Sequence, residues 1–201
     1  MTGIHPIEEQ SYAIMAGLVD LSGWPWPDRA VVARMVHATA DESFATSARI
    51  GREAVVGAVA ALRDGATVIC DARMVVAGIP AVAAARDVRC YLDAVPGPAP
   101  EGRTRSEMAV EVAAAEWPHG ALWVVGNAPT ALARLIALAT AGQLRPAAVI
   151  GVPVGYVGAA EAKADLWSSP LAGISITNDG RRGGTPVAAA AVNALWRLAQ
   201  D

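Results

Sequence analysis

The sequence predicts an α/β protein with a three-layer, doubly wound parallel five-stranded sheet behind a helical N-terminal lead-in. Short apolar runs recur along residues 66–201, as expected for strands that are buried on both faces. Stretches with helical patterning separate these runs, and alternation of strand and helix is typical of parallel sheets. Residues 1–65 show helical patterns alone. We therefore expect one domain, 1–201, with a lead-in over 1–65 and the sheet core over 66–201.

The elements follow from these patterns in chain order. Trp24-Pro25-Trp26-Pro27 separates the first two helices, because proline suits only the first turn of a helix. The predicted lead-in helices are Glu8–Leu21, Pro27–His37 and Ser43–Arg63. The predicted strands are Thr67–Cys70, Val88–Leu92, Ala121–Val125, Ala147–Val152 and Gly173–Ile176. The predicted helices of the core are Ile79–Ala85, Ser106–Glu116, Pro129–Ala141, Ala159–Trp167 and Pro186–Ala199.

Composition narrows the class of protein. Hydrophobic residues make up 54% of the chain and charged residues 17%, which favours a sizeable core over disorder. The net charge of −3, without blocks of like charge, argues against nucleic acid as a partner. Neither a signal peptide nor an apolar run of roughly 18 residues is present, so we expect a cytoplasmic protein without a membrane partner. Cys70 and Cys90 lie in apolar runs and are expected to be structural.

Polar and glycine-rich residues follow the predicted strands. Ligands of open α/β sheets bind past the carboxyl ends of the strands, where the strand order reverses. Such loops are polar in any protein, but their backbone amides also suit carboxylates. Gly151, Gly155 and Gly158 do not match a dinucleotide fingerprint, and no P-loop is present. These glycines predict an anion-binding edge or tight turns alone.

Arginines are the most informative charges at this edge. Arg73, Arg105, Arg181 and Arg182 all fall in predicted loops or helix starts. Because arginine binds carboxylates through two nitrogens, four of them at one edge suggest a ligand with several carboxylates. Ordinary solvated charges are the equal alternative.

His37 is the histidine with the clearest chemical potential. It ends a predicted helix, where the helix dipole favours the cationic form of the imidazole and therefore a proton donor. A histidine at this position can also serve only to satisfy the last helical carbonyls. The sequence contains no HExxH, CxxC or GxSxG motif, which disfavours metalloenzymes and serine hydrolases and predicts no metal.

Eight short motifs occur in order along nearly the whole chain, each weak alone and specific together. They are His5-Pro6-Ile7-Glu8; Met35-Val36-His37-Ala38-Thr39 with Asp41; Asp71-Ala72-Arg73-Met74-Val75 with Gly78-Ile79; Thr104-Arg105-Ser106; Gly126-Asn127-Ala128-Pro129-Thr130-Ala131-Leu132; Gly151-Val152-Pro153-Val154-Gly155-Tyr156-Val157; Glu161-Ala162-Lys163; and Gly180-Arg181-Arg182-Gly183-Gly184. By these motifs the chain resembles the precorrin-8X methylmutases and their cobalt-precorrin-8 counterparts.

The resemblance implies a flavodoxin-like fold with strand order 2-1-3-4-5, and an isomerase of corrin (cobalamin) biosynthesis that needs no cofactor. The reaction is a methyl migration on ring C of a tetrapyrrole with multiple carboxylates, from precorrin-8X to hydrogenobyrinate or from the cobalt form to cobyrinate. The family's homodimers hold their sites at the interface, its catalytic histidine matches His37, and its substrate-site arginine matches Arg105. The expected substrate-binding residues are Arg73, Met74, Arg105, Ser106, Gly126, Asn127, Gly155, Tyr156, Arg181 and Gly183.

The chemistry fits these residues. A methyl shift of this kind needs the right tautomer of the ring system, which a hydrogen bond or proton from His37 would favour. One alternative is a flavin-carrying domain, although the carboxylate of Asp71 after the first predicted strand would repel a phosphate. A tetrapyrrole carrier without catalysis is the second alternative, and turnover by the pure protein separates it from an enzyme.

Overall fold

A computed structural model describes residues 5–201 and shows a mixed six-stranded sheet with helices on both faces. The strands are β1 Ala48–Ile50, β2 Val68–Cys70, β3 Val88–Arg89, β4 Leu122–Val125, β5 Ala148–Gly151 and β6 Ser175–Asn178. The helices are α1 Pro6–Leu18, α2 Asp28–Thr39, α3 Phe44–Ser47, α4 Ala54–Arg63, α5 Arg73–Gly78, α6 Pro80–Ala83, α7 Arg105–Glu116, α8 Pro129–Thr140, α9 Ala159–Ser168 and α10 Thr185–Gln200. No helix within residues 5–201 combines the length and apolarity that a membrane span requires.

The strands lie in the order β1-β6-β5-β4-β2-β3. Strands β2 to β6 pair in parallel, whereas β1 pairs antiparallel with β6 at the edge of the sheet. After β2 the chain continues to β3 on one side, and β4 then lies on the other side of β2. The carboxyl ends of β2 and β4 therefore flank the point where the strand order reverses.

Side chains along each strand alternate between the two faces of the sheet and so contribute to two hydrophobic clusters. Leu122 and Val124 face the cluster formed with α2, α4, α5 and α10, whereas Trp123 and Val125 face the cluster formed with α7, α8 and α9. Successive strand residues point to opposite faces of a sheet, so a strand that is apolar at every position must be covered on both sides. The α/β expectation is confirmed at this level.

The predicted helix Ser43–Arg63 is wrong, and with it the expectation of a wholly parallel five-stranded sheet. This segment forms α3, the strand β1 and α4. Gly51 explains the break, because a Cβ atom there would overlap the Ala172 carbonyl oxygen. Its N–H instead donates to the Ser175 carbonyl at 2.8 Å. An alanine-rich segment with helical propensity is thus drawn into the sheet by tertiary contacts.

Several further boundaries differ from the sequence-based expectation. The predicted strand Val88–Leu92 is only Val88–Arg89, and the first helix ends at Leu18 rather than Leu21. Residues 73–78, expected as a loop, form α5, so Arg73 and Met74 lie in the first turn of a helix. The last strand runs over Ser175–Asn178 rather than Gly173–Ile176, because β6 pairs with both β5 and β1 and Asn178 lies opposite Ala48.

Candidate functional site

A buried carboxylate joins the two loops at the point where the strand order reverses. Asp71 follows β2 and is 8% exposed. Its Oδ1 accepts a hydrogen bond from the Gly126 N–H at 2.9 Å. Its Oδ2 accepts from the N–H groups of Asn127 and Ala128 at 2.8 and 2.7 Å. These amides directly precede α8, so the carboxylate also lies at the positive end of that helix.

These bonds correct the expectation for Gly126. Its backbone N–H was expected to hold a substrate carboxylate, but Asp71 already occupies it. A Cβ atom at Gly126 would lie 2.7 Å from the Ala188 Cβ, so the glycine allows close packing against α10. Burial raises the pKa of Asp71, while the three N–H donors act in the opposite direction. Asn127 remains exposed beside the same crevice and keeps its side-chain amide available.

Arg73 and Met74 begin α5 at the same edge of the sheet. The Arg73 guanidinium pairs with the Asp93 carboxylate through two nitrogens, and the Arg73 side chain is 67% exposed. An ion pair this exposed contributes only about 0–1 kcal/mol, so a substrate carboxylate can replace Asp93. Met74 is 62% exposed and offers an apolar surface to a ligand.

Arg105 and Ser106 lie in the first turn of α7, which the Thr104 side chain caps. Nη2 of Arg105 donates to the Leu92 carbonyl at 2.7 Å, which fixes the guanidinium while the residue remains exposed. Ser106 and Asp71 both line a small cavity between the sheet and α7. The structure therefore brings Arg105 and Ser106 close to the crevice between β2 and β4.

The loops after β5 and β6 are hydrogen bonded to each other. The Gly155 N–H donates to the Arg181 carbonyl at 3.2 Å, and the Gly184 N–H donates to the Val152 carbonyl at 2.8 Å. A Cβ atom at Gly183 would overlap the Val152 carbonyl, which requires glycine there. The Gly155 amide is thus already engaged, contrary to expectation. The Arg181 side chain is exposed and makes no hydrogen bond or ion pair within residues 5–201.

Apolar side chains also project from this edge. Tyr156 and Val157 at the tip of the loop after β5 are 89% and 88% exposed, and Val154 is 46% exposed. Large apolar groups clustered at a surface commonly mark a binding site. Together with Arg181 they form a surface with both cationic and apolar character.

His37 lies in the last turn of α2, in a groove that α1 covers. Its imidazole stacks on the Tyr12 ring, with centroids 4.3 Å apart and an angle of 11° between the planes. Its Nε2 is buried and has no hydrogen-bond partner within residues 5–201. The groove residues are Ser11, Ile14, Met15, Leu18, Val19, Val36, His37, Ala40 and Glu42. None of these belongs to the loops after the parallel strands, so one chain does not unite His37 with the expected binding residues in one pocket.

A chain of polar contacts nevertheless connects the segment after His37 with the loop after β6. Nη1 of Arg182 donates to both carboxylate oxygens of Asp41 at 2.7 and 2.6 Å and to the Ser43 hydroxyl at 2.9 Å. Hydrogen bonds from Ser43 and the charge of Arg182 hold the pKa of Asp41 below its ordinary value. Arg182 is thus engaged within the chain, whereas Arg181 is not.

Sequence reasoning missed three residues of this region as contributors to the site. Asp71 was read as a group that repels phosphate; its N–H partners lie in the loop before α8, 55 or more residues further along the chain, so the local sequence carried no signal for them. Lys163 is buried below the loop after β6, and its signal was that it is the only lysine in the chain. Tyr12 carried no signal, because its contact with His37 depends on how α1 docks.

Cysteine chemistry is disfavoured. Burial raises the pKa of the thiols of Cys70 and Cys90, which keeps them protonated and poorly nucleophilic. Both are free cysteines. In the described part of the chain, no three His, Cys, Asp or Glu side chains are grouped as metal ligands.

Comparison with known proteins gives one consistent result. The family model described as precorrin-8X methylmutase matches residues 6–198. The chain is 40% identical over 197 residues to the precorrin-8X methylmutase of Pseudomonas aeruginosa, covering 94% of this chain and 93% of that protein. It is 39% identical over 202 residues to the cobalt-precorrin-8 methylmutase of Methanothermobacter thermautotrophicus, covering 98% and 94%.

The fold agrees with the sequence matches. A crystal structure of precorrin-8X methylmutase from Thermus thermophilus superposes with a TM-score of 0.80 at 35% identity, covering 96% of this chain and 95% of that one. The family model spans almost all of the described chain, including α1 with Tyr12 and α2 with His37. The chain therefore belongs to the precorrin-8X methylmutase family, the isomerases of cobalamin biosynthesis.

Proposed function

We propose that the chain moves a methyl group on ring C of precorrin-8X or its cobalt form, with His37 as the acid or hydrogen-bond donor. The main support is that the buried Nε2 of His37 has no hydrogen-bond partner within residues 5–201, in a chain that belongs to this family. A buried ring nitrogen without a partner carries a desolvation cost, which a hydrogen bond to the substrate would relieve. The stack on Tyr12 fixes the ring plane and so limits the directions that the nitrogen can face.

We also propose that the site is completed by a second copy of the chain. The His37 groove and the loops after the parallel strands share no lining residue. Ile7, Ile14 and Leu18 of α1 are 69%, 59% and 67% exposed, and their spacing places them on one face of the helix. Burial of such a face in a homodimer would place a partner's loops next to His37, as the resemblance implies.

The arginines that would bind the substrate carboxylates differ in whether their guanidinium groups already have partners within the chain. Arg181 is available at once, Arg73 must exchange Asp93 for the substrate, and Arg105 is already oriented by the Leu92 carbonyl. Met74, Val154 and Tyr156 would contact the apolar faces of the macrocycle. Asn127 and Ser106 would contribute polar contacts from the opposite side of the crevice.

Several finer points belong to the same proposal. The five parallel strands, without β1, would be the flavodoxin-like unit with order 2-1-3-4-5. The whole chain would act as one domain in the cytoplasm and need no cofactor. The chain resembles both a relative named precorrin-8X methylmutase and one named cobalt-precorrin-8 methylmutase, so the proposal covers both substrates.

Turnover by purified protein tests the proposal. Precorrin-8X is mixed with the wild type or with His37→Ala, and formation of the corrin product is followed by its visible spectrum. We expect the variant to lose at least about a hundredfold in rate, as for removal of a general acid, yet to bind product tightly. A variant that turns over at the normal rate excludes the role of His37. A wild type that binds the macrocycle without converting it would be a carrier.

A further inference from the structure

Lys163 is the only lysine among the 16 lysine and arginine residues of the chain. It lies on α9, and it is 1% exposed. Lysines are almost never buried to this extent, because the ammonium loses its hydration. The other 15 of these residues are arginines, and the single lysine lies where solvent does not reach.

The ammonium of Lys163 binds the backbone of the loop after β6. It donates to the carbonyl of Arg182 and, at 3.2 Å, to Oδ1 of Asn178. Nδ2 of Asn178 donates to the same Arg182 carbonyl at 2.9 Å and to the Asp179 carbonyl at 3.0 Å. Two buried side chains therefore converge on one carbonyl oxygen.

This interaction is not a salt bridge. Within residues 5–201, no carboxylate lies within 4 Å of the Lys163 ammonium. Burial lowers the pKa of Lys163 to about 8, and the more distant charge of Asp179 opposes this shift. A salt bridge therefore does not explain why this lysine is buried, whereas its hydrogen bonds to the loop do.

The loop that Lys163 holds is also fixed on its other side. A Cβ atom at Gly183 would overlap the Val152 carbonyl, so the backbone lies tightly against the end of β5. The Arg182 side chain continues to Asp41, in the segment that follows His37. The side chain of the neighbouring Arg181 is exposed and makes no hydrogen bond to any described residue.

We propose that Lys163 is the positioning residue of this loop: its hydrogen bonds to the Arg182 carbonyl and the Asn178 side chain fix the backbone that carries Arg181 to the substrate. The same bonds hold the Arg182 side chain against Asp41 and so steady the segment after His37. The statement about the ligand rests on the proposed function, whereas the statement about the loop does not.

The loop is tested first, without a ligand. Lys163→Met keeps the length of the side chain and removes the donors, and Lys163→Gln keeps neutral N–H donors on a shorter chain. We expect the amides of residues 180–184 to exchange with solvent at least about tenfold faster in Lys163→Met, since loss of even one of the two hydrogen bonds from the charged group has this size. Amides of β4 should not change. Leu62→Ala is the control for general destabilisation: this buried residue lies in the last turn of α4, next to Arg86 just before β3, at the amino ends of the strands.

The site is tested second, with the corrin product hydrogenobyrinate as the probe. We expect Lys163→Met to weaken product binding by roughly tenfold and Lys163→Gln to weaken it less. Arg181→Ala should weaken binding in the wild type but add little in the Lys163→Met background, because the arginine is already misplaced there. Leu62→Ala should bind as the wild type does.

The outcomes are separable. Unchanged exchange of residues 180–184 in Lys163→Met would overturn the proposal, and so would binding losses that are simply additive with Arg181→Ala. If the wild type does not bind the product, the proposed function fails, and the exchange measurement alone then decides the role of Lys163.

Discussion

Two buried side chains of opposite charge hold the loops of the candidate site through backbone groups. Asp71 takes three N–H donors of the loop after β4, and Lys163 gives two bonds to residues at the end of β6 and in the loop that follows. A buried polar group of this kind contributes most when all its partners are present, because an unmet donor or acceptor is costly. Among the arginines at this edge, Arg181 is exposed and its side chain has no hydrogen-bond partner within residues 5–201.

Asp71→Asn tests the first of these anchors. The amide nitrogen cannot accept a hydrogen bond, so at least one of the N–H groups of residues 126–128 would lose its partner. We expect the free energy of unfolding to fall by about 2 kcal/mol, as measured by urea denaturation. Asp93→Asn, in an exposed pair with Arg73, should change it by less than about 1 kcal/mol. Equal effects of the two variants would contradict the role of Asp71.

Tyr12 is the residue through which α1 acts on His37. Tyr12→Phe keeps the ring stack, and Tyr12→Ala removes it. We expect Tyr12→Phe to retain nearly normal turnover and Tyr12→Ala to lose about tenfold in kcat, because the imidazole is then no longer held in one orientation. The NMR chemical shifts of the His37 ring protons should move in Tyr12→Ala and stay nearly in place in Tyr12→Phe, because the stacked ring lies against them only in the latter. Chemical shifts and a kcat that are the same in both variants would show that the stack is incidental.

At the scale of elements, the sequence allowed the buried strands to be recognised, but not the edge strand β1. Strands such as Leu122–Val125 are apolar at every position and are bounded by glycines, which gives a clear signal. Residues 48–50 lie in an alanine-rich segment whose local propensity is helical, and only the pairing with β6 makes them a strand. The arginines and glycines named from the sequence lie in the loops and helix starts after the parallel strands, and their role in substrate binding stays a prediction. That the Gly126 and Gly155 amides are already engaged depends on contacts between distant segments.

Gly51→Ala tests the close approach that ends β1. The new Cβ would meet the backbone of Ala172 and Gly173, so we expect a loss of about 1–3 kcal/mol in the free energy of unfolding. Gly17→Ala, on α1, has open space around its Cβ and should stabilise the helix by about 0.5–1 kcal/mol. Thermal denaturation of both variants measures the difference. A Gly51→Ala protein as stable as the wild type would show that the crossing has room to adjust.

At the scale of the whole molecule, the fold keeps His37 apart from the loops that are expected to bind the substrate within one chain. α2 carries His37 to a groove under α1, while the loops after β5 and β6 carry Arg181 and Tyr156 elsewhere on the surface. The contact between Arg182 and Asp41 connects the two regions without uniting them. The proposed homodimer, in which each site takes His37 from one subunit and the loops from its partner, would account for both arrangements.

Subunit complementation measures this claim directly. His37→Ala and Arg181→Glu proteins, each first shown to be inactive alone, are unfolded together, refolded and assayed with precorrin-8X. A shared site leaves one intact site in every mixed dimer, so we predict about a quarter of wild-type activity from random pairing. If the mixture stays as inactive as its two components, His37 and Arg181 act in the same subunit or not together at all, and the account of a shared site is wrong.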